Sequence, residues 1–507
     1  MGQLEVKEEI DQGIFFQYVN SIASVLAGVI FYVYIIHSYS SELVGTVALL
    51  LAITSLLNIF FSLGLGYGLQ HYISYYLGRR EYGKIRETIE KFILIGLSLG
   101  ILSLLALYLT TPIFAMLFFH AFKYILLVKY LGIGLLFMVL STFLSGILIG
   151  LQNFRSQAMV NVAGTIISYS IPILLLAALH NDIYIVIGWA AGYAFSSSAY
   201  LLVILRRIGS ITEKAEVIDI MPVFNYAIPI FFASLIGYGA SYVDRFIVSY
   251  LLNLSLLGIY NFALLISSAL GFISVPFTNI LLPKLSEMFA TGRKEEMMNY
   301  IAKGIELIST IFEPVALIVA SLSSWILLFL SSGEYLPASI PVIIVLVVNS
   351  IFISGNILWV SLQGIRKTKL FLLTSSAALL SNLIISVLLI PRYQMIGASI
   401  GYSSITIVSF LIILYYAKKF EILKVEWIKL TKIYVAGFLM FSVLLLLQRV
   451  VPYSPLLLFV LIFVGFGIYS GLIKVMRTFS SEDVDFIMRL IPWWLQRVRK
   501  LILVLFL

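Results

Sequence analysis

Apolar runs of about twenty residues follow one another along nearly the whole chain, separated by short polar or charged connections. Fourteen are present, near 14–36, 43–66, 91–111, 124–149, 158–179, 183–205, 223–251, 255–281, 304–329, 338–362, 370–390, 395–416, 432–450 and 456–474. Each is long enough to cross a bilayer as a helix, because the hydrocarbon core needs roughly 20 residues at 1.5 Å apiece. The pattern therefore predicts an all-α polytopic membrane protein with about 14 transmembrane helices. An even number of spans puts both termini on one side.

The two ends differ from the middle. MGQLEVKEEIDQG is acidic and runs into a long apolar stretch, which reads as a first span rather than a cleaved signal. The tail, 481–507, mixes Trp493, Trp494, Arg497, Arg499 and Lys500 with apolar residues around Pro492. An amphipathic segment lying on the inner leaflet is expected there.

Composition agrees with the pattern. Of 507 residues 61% are hydrophobic and 11% charged, against about a quarter charged in soluble domains. Cysteine is absent, which excludes disulfides and thiolate metal sites. The net charge of +9 changes the picture only through its placement. Of 33 lysines and arginines, 28 fall on the side of the termini and four opposite (Lys123, Lys129, Arg392 and Arg449). That asymmetry places both termini in the cytoplasm, and it accounts for the charge without nucleic acid.

The two halves echo each other. LGRREYGKIRE at 77 resembles ATGRKEEMMNY at 290, setting Gly78 against Gly292; GLQN at 150 resembles SLQG at 361; IGWAAGY at 187 resembles IGASIGY at 396. Three matches in order at nearly one offset point to duplication. The expected plan is two six-helix lobes related by a parallel repeat, plus two extra C-terminal helices. Residues 1–210 form the N-lobe, 211–420 the C-lobe, 421–475 helices 13 and 14, and 476–507 a cytoplasmic amphipathic tail.

Three ionisable residues fall inside spans: Asp244, Arg245 and Glu313. Such residues are costly in lipid and mark functional candidates. At 100° per residue, one arc of helix 7 gathers Ser234, Gly237, Tyr238, Ser241, Tyr242, Asp244, Arg245, Val248 and Ser249, while Phe232, Phe246 and Tyr250 lie on the other. The polar arc must face protein or water. Adjacent residues diverge by about 100°, so Asp244 and Arg245 do not simply neutralise each other. Glu313 lies near the middle of helix 9, before Pro314, where burial disfavours the charged form. Three uses stay open for these groups: a staple between helices, an anion site at Arg245, or ion coupling through Asp244 or Glu313. Asn58, Asn349, Asn356 and Asn382 read as interhelical hydrogen-bonding residues, and the four histidines make no metal-ligand spacing.

Several stretches carry a resemblance: FSLGLGYGLQHYISYYLGRR at 61–80, YVDRFIVSYLLNLSLLGIYNFALLISS at 242–268, ILLPKLSEMFATGRKEE at 280–296, SLQGIRKTK at 361–369 and LLIPRYQMIGASIGYSS at 388–404. From about residue 10 to about 420 the chain resembles the Wzx-type polysaccharide flippases of the multidrug/oligosaccharidyl-lipid/polysaccharide exporter superfamily. The resemblance implies movement of a polyprenyl-diphosphate-linked oligosaccharide from the cytoplasmic to the outer leaflet of the cell membrane, by alternating access. The partners expected are that lipid-linked oligosaccharide, membrane lipids and glycan-assembly enzymes, with the chain acting as a monomer. Candidate substrate-binding residues are Arg245, Tyr238, Tyr242 and Ser241; candidate ion-coupling residues are Asp244 and Glu313. No cofactor is expected beyond a coupling ion, H⁺ or Na⁺. The competing reading is an H⁺- or Na⁺-coupled exporter of drugs or metabolites; a flippase is expected to have a cationic lumen and an opening to lipid, and such an exporter an acidic lumen. A membrane-embedded glycan polymerase or transferase is a third. The chain has no P-loop and no long extramembrane loop to house a catalytic site, so it reads as a transporter without catalytic or metal residues.

Overall fold

The computed structural model describes residues 2–209, 213, 216, 218–331 and 333–479. Among them are seventeen α-helices and no strand. In chain order they are α1 (Gly2–Ser38), α2 (Ser41–Ser62), α3 (Leu65–Arg79), α4 (Tyr82–Phe119), α5 (Ile125–Gly150), α6 (Phe154–Leu179), α7 (Ile183–Gly209), α8 (Met221–Leu251), α9 (Leu254–Ala269), α10 (Val275–Ala290), α11 (Lys294–Ser321), α12 (Ser323–Leu330), α13 (Ser339–Phe352), α14 (Ser354–Gly364), α15 (Leu370–Lys419), α16 (Trp427–Val450) and α17 (Pro455–Val475).

Among the described residues eleven helices are long and apolar enough to cross a membrane, or twelve if the bent pair around α13 and α14 is one span. Every one of the fourteen expected runs is helical; the difference lies in where helices break or merge. α15 runs for 50 residues, roughly 75 Å at 1.5 Å each, more than twice a bilayer core of about 30 Å. Gln394, at φ 49° and ψ −125°, turns it between the two runs expected at 370–390 and 395–416. The run at 255–281 is broken into α9 and α10 by a 3₁₀ turn over Leu270–Ile273. Leu94, Leu109, Leu174, Leu388 and Phe463 are widely exposed, which suits side chains that meet lipid rather than water.

The described residues cluster into two compact units that divide between Gly258 and Ile259. In the first, α8 packs with α2, α3 and α4. The break between α2 and α3 makes that packing possible. Gly64 there has φ +69°, and a Cβ on it would come within 2.7 Å of the Ala227 carbonyl oxygen of α8, so both backbone conformation and space require glycine. In the second unit α11 is the central helix, 83% buried over its apolar window, with α10, α13, α14, α16 and α17 around it.

Local geometry repeats between the halves. α3 ends with Arg80 at φ 59° and Glu81 N–H donating to the Tyr76 carbonyl at 3.0 Å. α10 is followed by Gly292 at φ +70° and Arg293 N–H donating to the Met288 carbonyl at 2.9 Å. Both are the same left-handed helix stop. The partner of Gly292 in this repeat is therefore Arg80 and not Gly78, which still lies within α3. The expected amphipathic tail lies, from residue 480 onward, outside the described residues.

Candidate functional site

On α8 the polar arc predicted from the sequence is largely the buried one. Asp244 is fully buried, Arg245 is 9% exposed, and Val248 and Ser249 are buried. Phe232 and Tyr250, on the opposite arc, are exposed; Ala240, from that arc, is buried as well.

Four of the six candidate residues form one column. The Arg245 guanidinium lies 4.2 Å from the ring centroid of Tyr242, close enough for a cation–π contact. Tyr242 stacks on Tyr238 with centroids 4.3 Å apart and planes 9° from parallel. Tyr238 donates its hydroxyl to the Ala52 carbonyl of α2 at 2.7 Å. Arg245 Nη1 donates to the Ser241 carbonyl at 2.7 Å, and Ser241 Oγ donates to the Gly237 carbonyl at 3.1 Å. This column ties α8 to α2 and holds one cation deep in the unit. Glu313 belongs to the other unit, on α11, fully buried.

The first unit also contains polar space that the sequence reading did not single out. A cavity of about 300 Å³ is lined by residues that include Tyr67, Gln70, Ser141, Asn161, Tyr193 and Tyr200. A neighbouring one of about 180 Å³ shares Ser141, Asn161 and Tyr193 with it and adds Ser168, Trp189 and Ser196. No charged side chain lines either cavity among the described residues. Uncharged hydrogen bonds organise their walls. Asn161 Nδ2 donates to Asn20 Oδ1 at 2.8 Å. Gln17 Nε2 donates to Gln157 Oε1 at 2.7 Å, and Gln157 Nε2 donates to Ser145 Oγ at 3.1 Å. Trp189 is buried, and its indole N–H finds no acceptor among the described residues. The sequence held a signal for this site: amides three apart on α1 (Gln17, Asn20) and four apart on α6 (Gln157, Asn161), each pair on one helical face.

At the opposite helix ends, Lys123 pairs with Glu42 at 2.8 Å. The nearby Asp182, between α6 and α7, has its carboxyl pushed up by burial, with Lys123 drawing it down. Asn58 accepts from Thr142 at 3.3 Å and Asn349 from Thr406 at 3.1 Å, so both join helices as expected.

The family of polysaccharide biosynthesis proteins matches residues 10–289, more than half of the chain. The chain belongs to that family. Among curated proteins it is 24% identical to an uncharacterized membrane protein of Methanocaldococcus jannaschii, over 88% of this chain and 92% of the relative. It is 22% identical to a probable low-salt glycan biosynthesis flippase of Haloferax volcanii, over 57% of this chain and 61% of the relative. Among solved structures, a lipid II flippase in an inward closed conformation matches 91% of this chain and 98% of its own, with TM-score 0.72 and 19% identity. An inward-facing multidrug transporter of the MATE family matches 78% of this chain and 95% of its own, with TM-score 0.64 and 14% identity. At these identities the likeness is one of fold. This family member is a multi-pass membrane protein with the fold shared by those two transporters.

Proposed function

We propose that the protein is a flippase for a lipid-diphosphate-linked oligosaccharide, carrying it from the cytoplasmic to the outer leaflet of the cell membrane by alternating access, with both termini cytoplasmic. Its membership of the polysaccharide biosynthesis family supports this reading. The observation that carries it is the uncharged lining of the cavities in the first unit. Hydroxyls, amides and tyrosine rings suit a polyhydroxylated glycan, which offers donors, acceptors and apolar ring faces. At about 300 Å³ the larger cavity reaches the lower end of the ligand-pocket range, roughly 300–1,000 Å³. The described lining has neither the carboxylate that an exporter of cationic drugs would want nor the cations expected of a flippase lumen, so the charge for a diphosphate must come from elsewhere.

In this reading Arg245 supplies the charge for the diphosphate, since a planar guanidinium matches its oxygens in pairs. Tyr238, Ser241 and Tyr242 present it.

Depletion of the protein in its native cell tests the function. A completed lipid-linked oligosaccharide should accumulate in the cytoplasmic leaflet while surface glycan falls. Unchanged surface glycan together with lost drug resistance would instead make the protein an exporter.

A further inference from the structure

α11 carries a polar stripe that is buried along its whole length. Glu306 is 3% exposed, Ser309 0%, Thr310 3% and Glu313 0%. At 100° per residue the four lie within about 100° of arc, one above another. The stripe faces the C-terminal helix pair. Glu306 lies 3.8 Å from Lys429 of α16 and 3.3 Å from Lys303 of its own helix. The Thr310 carbonyl accepts from the Tyr469 hydroxyl of α17 at 3.3 Å. Glu313 lies against Gly437 of α16, where a Cβ would clash with Glu313 Oε1.

Glu313 stands out at the inner end of this stripe. Neither carboxyl oxygen has a hydrogen-bond partner among the described residues. An ionised carboxylate does not survive such a site unpaired, so the arrangement holds the neutral acid. The groups that face it are Tyr434 from α16 and Tyr469 from α17. α12, α13 and α14 contain no Asp, Glu, Lys, Arg or His, and Lys284 and Glu287 of α10 pair with each other at an exposed position. No cation comes within reach, and no group of three His, Cys, Asp or Glu gathers anywhere among the described residues. A hard metal cation wants several oxygens; one carboxyl facing a glycine suits a proton.

We infer that Glu313 is a proton-binding site sealed by α16, reached from the charged end of α11 through Glu306 and the hydroxyls of Ser309 and Thr310. The two carboxyls are seven residues apart, about 10 Å along the helix. Between them lie Ser309 Oγ, which finds no hydrogen-bond partner among the described residues, and the Thr310 hydroxyl, which donates to the Glu306 carbonyl at 2.7 Å, so a proton crosses only as these hydroxyls reorient. With α16 docked, the contact at Gly437 keeps bulk water off the carboxyl, so the proton travels by the Glu306 route; when α16 gives way the carboxyl meets water directly. Protonation is thereby tied to the docking of α16 on α11. The inference does not rest on the flippase reading, since it concerns neither the cavities nor the substrate.

Infrared difference spectroscopy of the full chain in neutral-lipid nanodiscs, stepped from mildly acidic to mildly alkaline buffer, tests this. A protonated-carboxyl band should fade as pH rises, and Glu313→Gln should remove it while leaving the helical amide bands unchanged. Glu306→Gln should slow its hydrogen–deuterium exchange by at least about tenfold without changing its amplitude at equilibrium. Gly437→Ala, which prises α16 from the carboxyl, should speed that exchange. A band that neither titrates nor exchanges would make Glu313 a static structural acid and overturn the inference. So would a band that survives Glu313→Gln, or one that answers to sodium at fixed pH and not to protons.

Discussion

At the residue scale, two positions gain their meaning from what touches them. Gly437 is one of many glycines in the sequence, yet it is the one that a Glu313 oxygen presses against. Gly437→Ala should destabilise the protein by about 1–3 kcal/mol, the usual result of overfilling a packed contact. Glu313→Ala, by opening the space, should relieve that cost, and a double-mutant cycle in thermal unfolding measures the coupling. If the two losses simply add, the contact is not what makes position 437 small. Arg245 is legible in the sequence as the one basic residue that topology leaves unexplained. Its contact with the Tyr242 ring, itself stacked on Tyr238, is not, because neighbours on one helix face do not reveal their rotamers. Arg245→Lys keeps the charge but loses the planar fork, so transport of the lipid-linked glycan should fall well below wild type with abundance unchanged. Full transport by Arg245→Lys would reduce its role to a point charge. Tyr238→Phe, which removes only the bond to the Ala52 carbonyl, should cost about 1 kcal/mol of stability.

At the element scale, proline and glycine decide how the spans bend. Pro314 cannot donate to the Thr310 carbonyl, which leaves that oxygen without its helical partner. Tyr469 of α17 supplies the missing donor. Tyr469→Phe should therefore destabilise by about 1 kcal/mol, and much less in a Pro314→Ala background, where the helix satisfies its own carbonyl. Equal losses in both backgrounds, read from thermal unfolding, would show that the hydroxyl serves something else. Every expected span was visible as an apolar run, but helix breaks were not. The turn at Gln394 and the stop at Leu63–Gly64 are backbone conformations that hydropathy does not encode. The match of Gly78 to Gly292 failed for the same reason: the left-handed stop in the first half is taken by Arg80, and residue identity alone pointed to the wrong position.

At the scale of the whole molecule, the charged connections hold helix ends together. Lys294 at the start of α11 pairs with Glu421 before α16 at 2.8 Å, and the lysine holds that carboxyl below the usual carboxylate range. A depressed carboxylate contributes above its unfolded value, and its contribution fades as pH falls through the lowered range. Amide protection in the 420–426 turn should therefore drop as pH falls through that range, and Glu421→Gln should remove the dependence. The effect is small, because the pair is exposed.

Alone, the sequence determined the membrane, the succession of spans and the excess of cations on one set of loops. These follow from hydropathy, spacing and charge, which are properties of the chain read in order. The tertiary structure decided which polar residues meet: the amides of α1 with those of α6 around an uncharged cavity, and the stripe of α11 with Gly437 and Tyr469. Such pairs are far apart in sequence and come from helices whose rotation and depth are set by packing. An apolar run reveals that a helix crosses the bilayer, and a polar arc such as that of α8 which face turns inward, but only packing determines which residues of other helices that face meets.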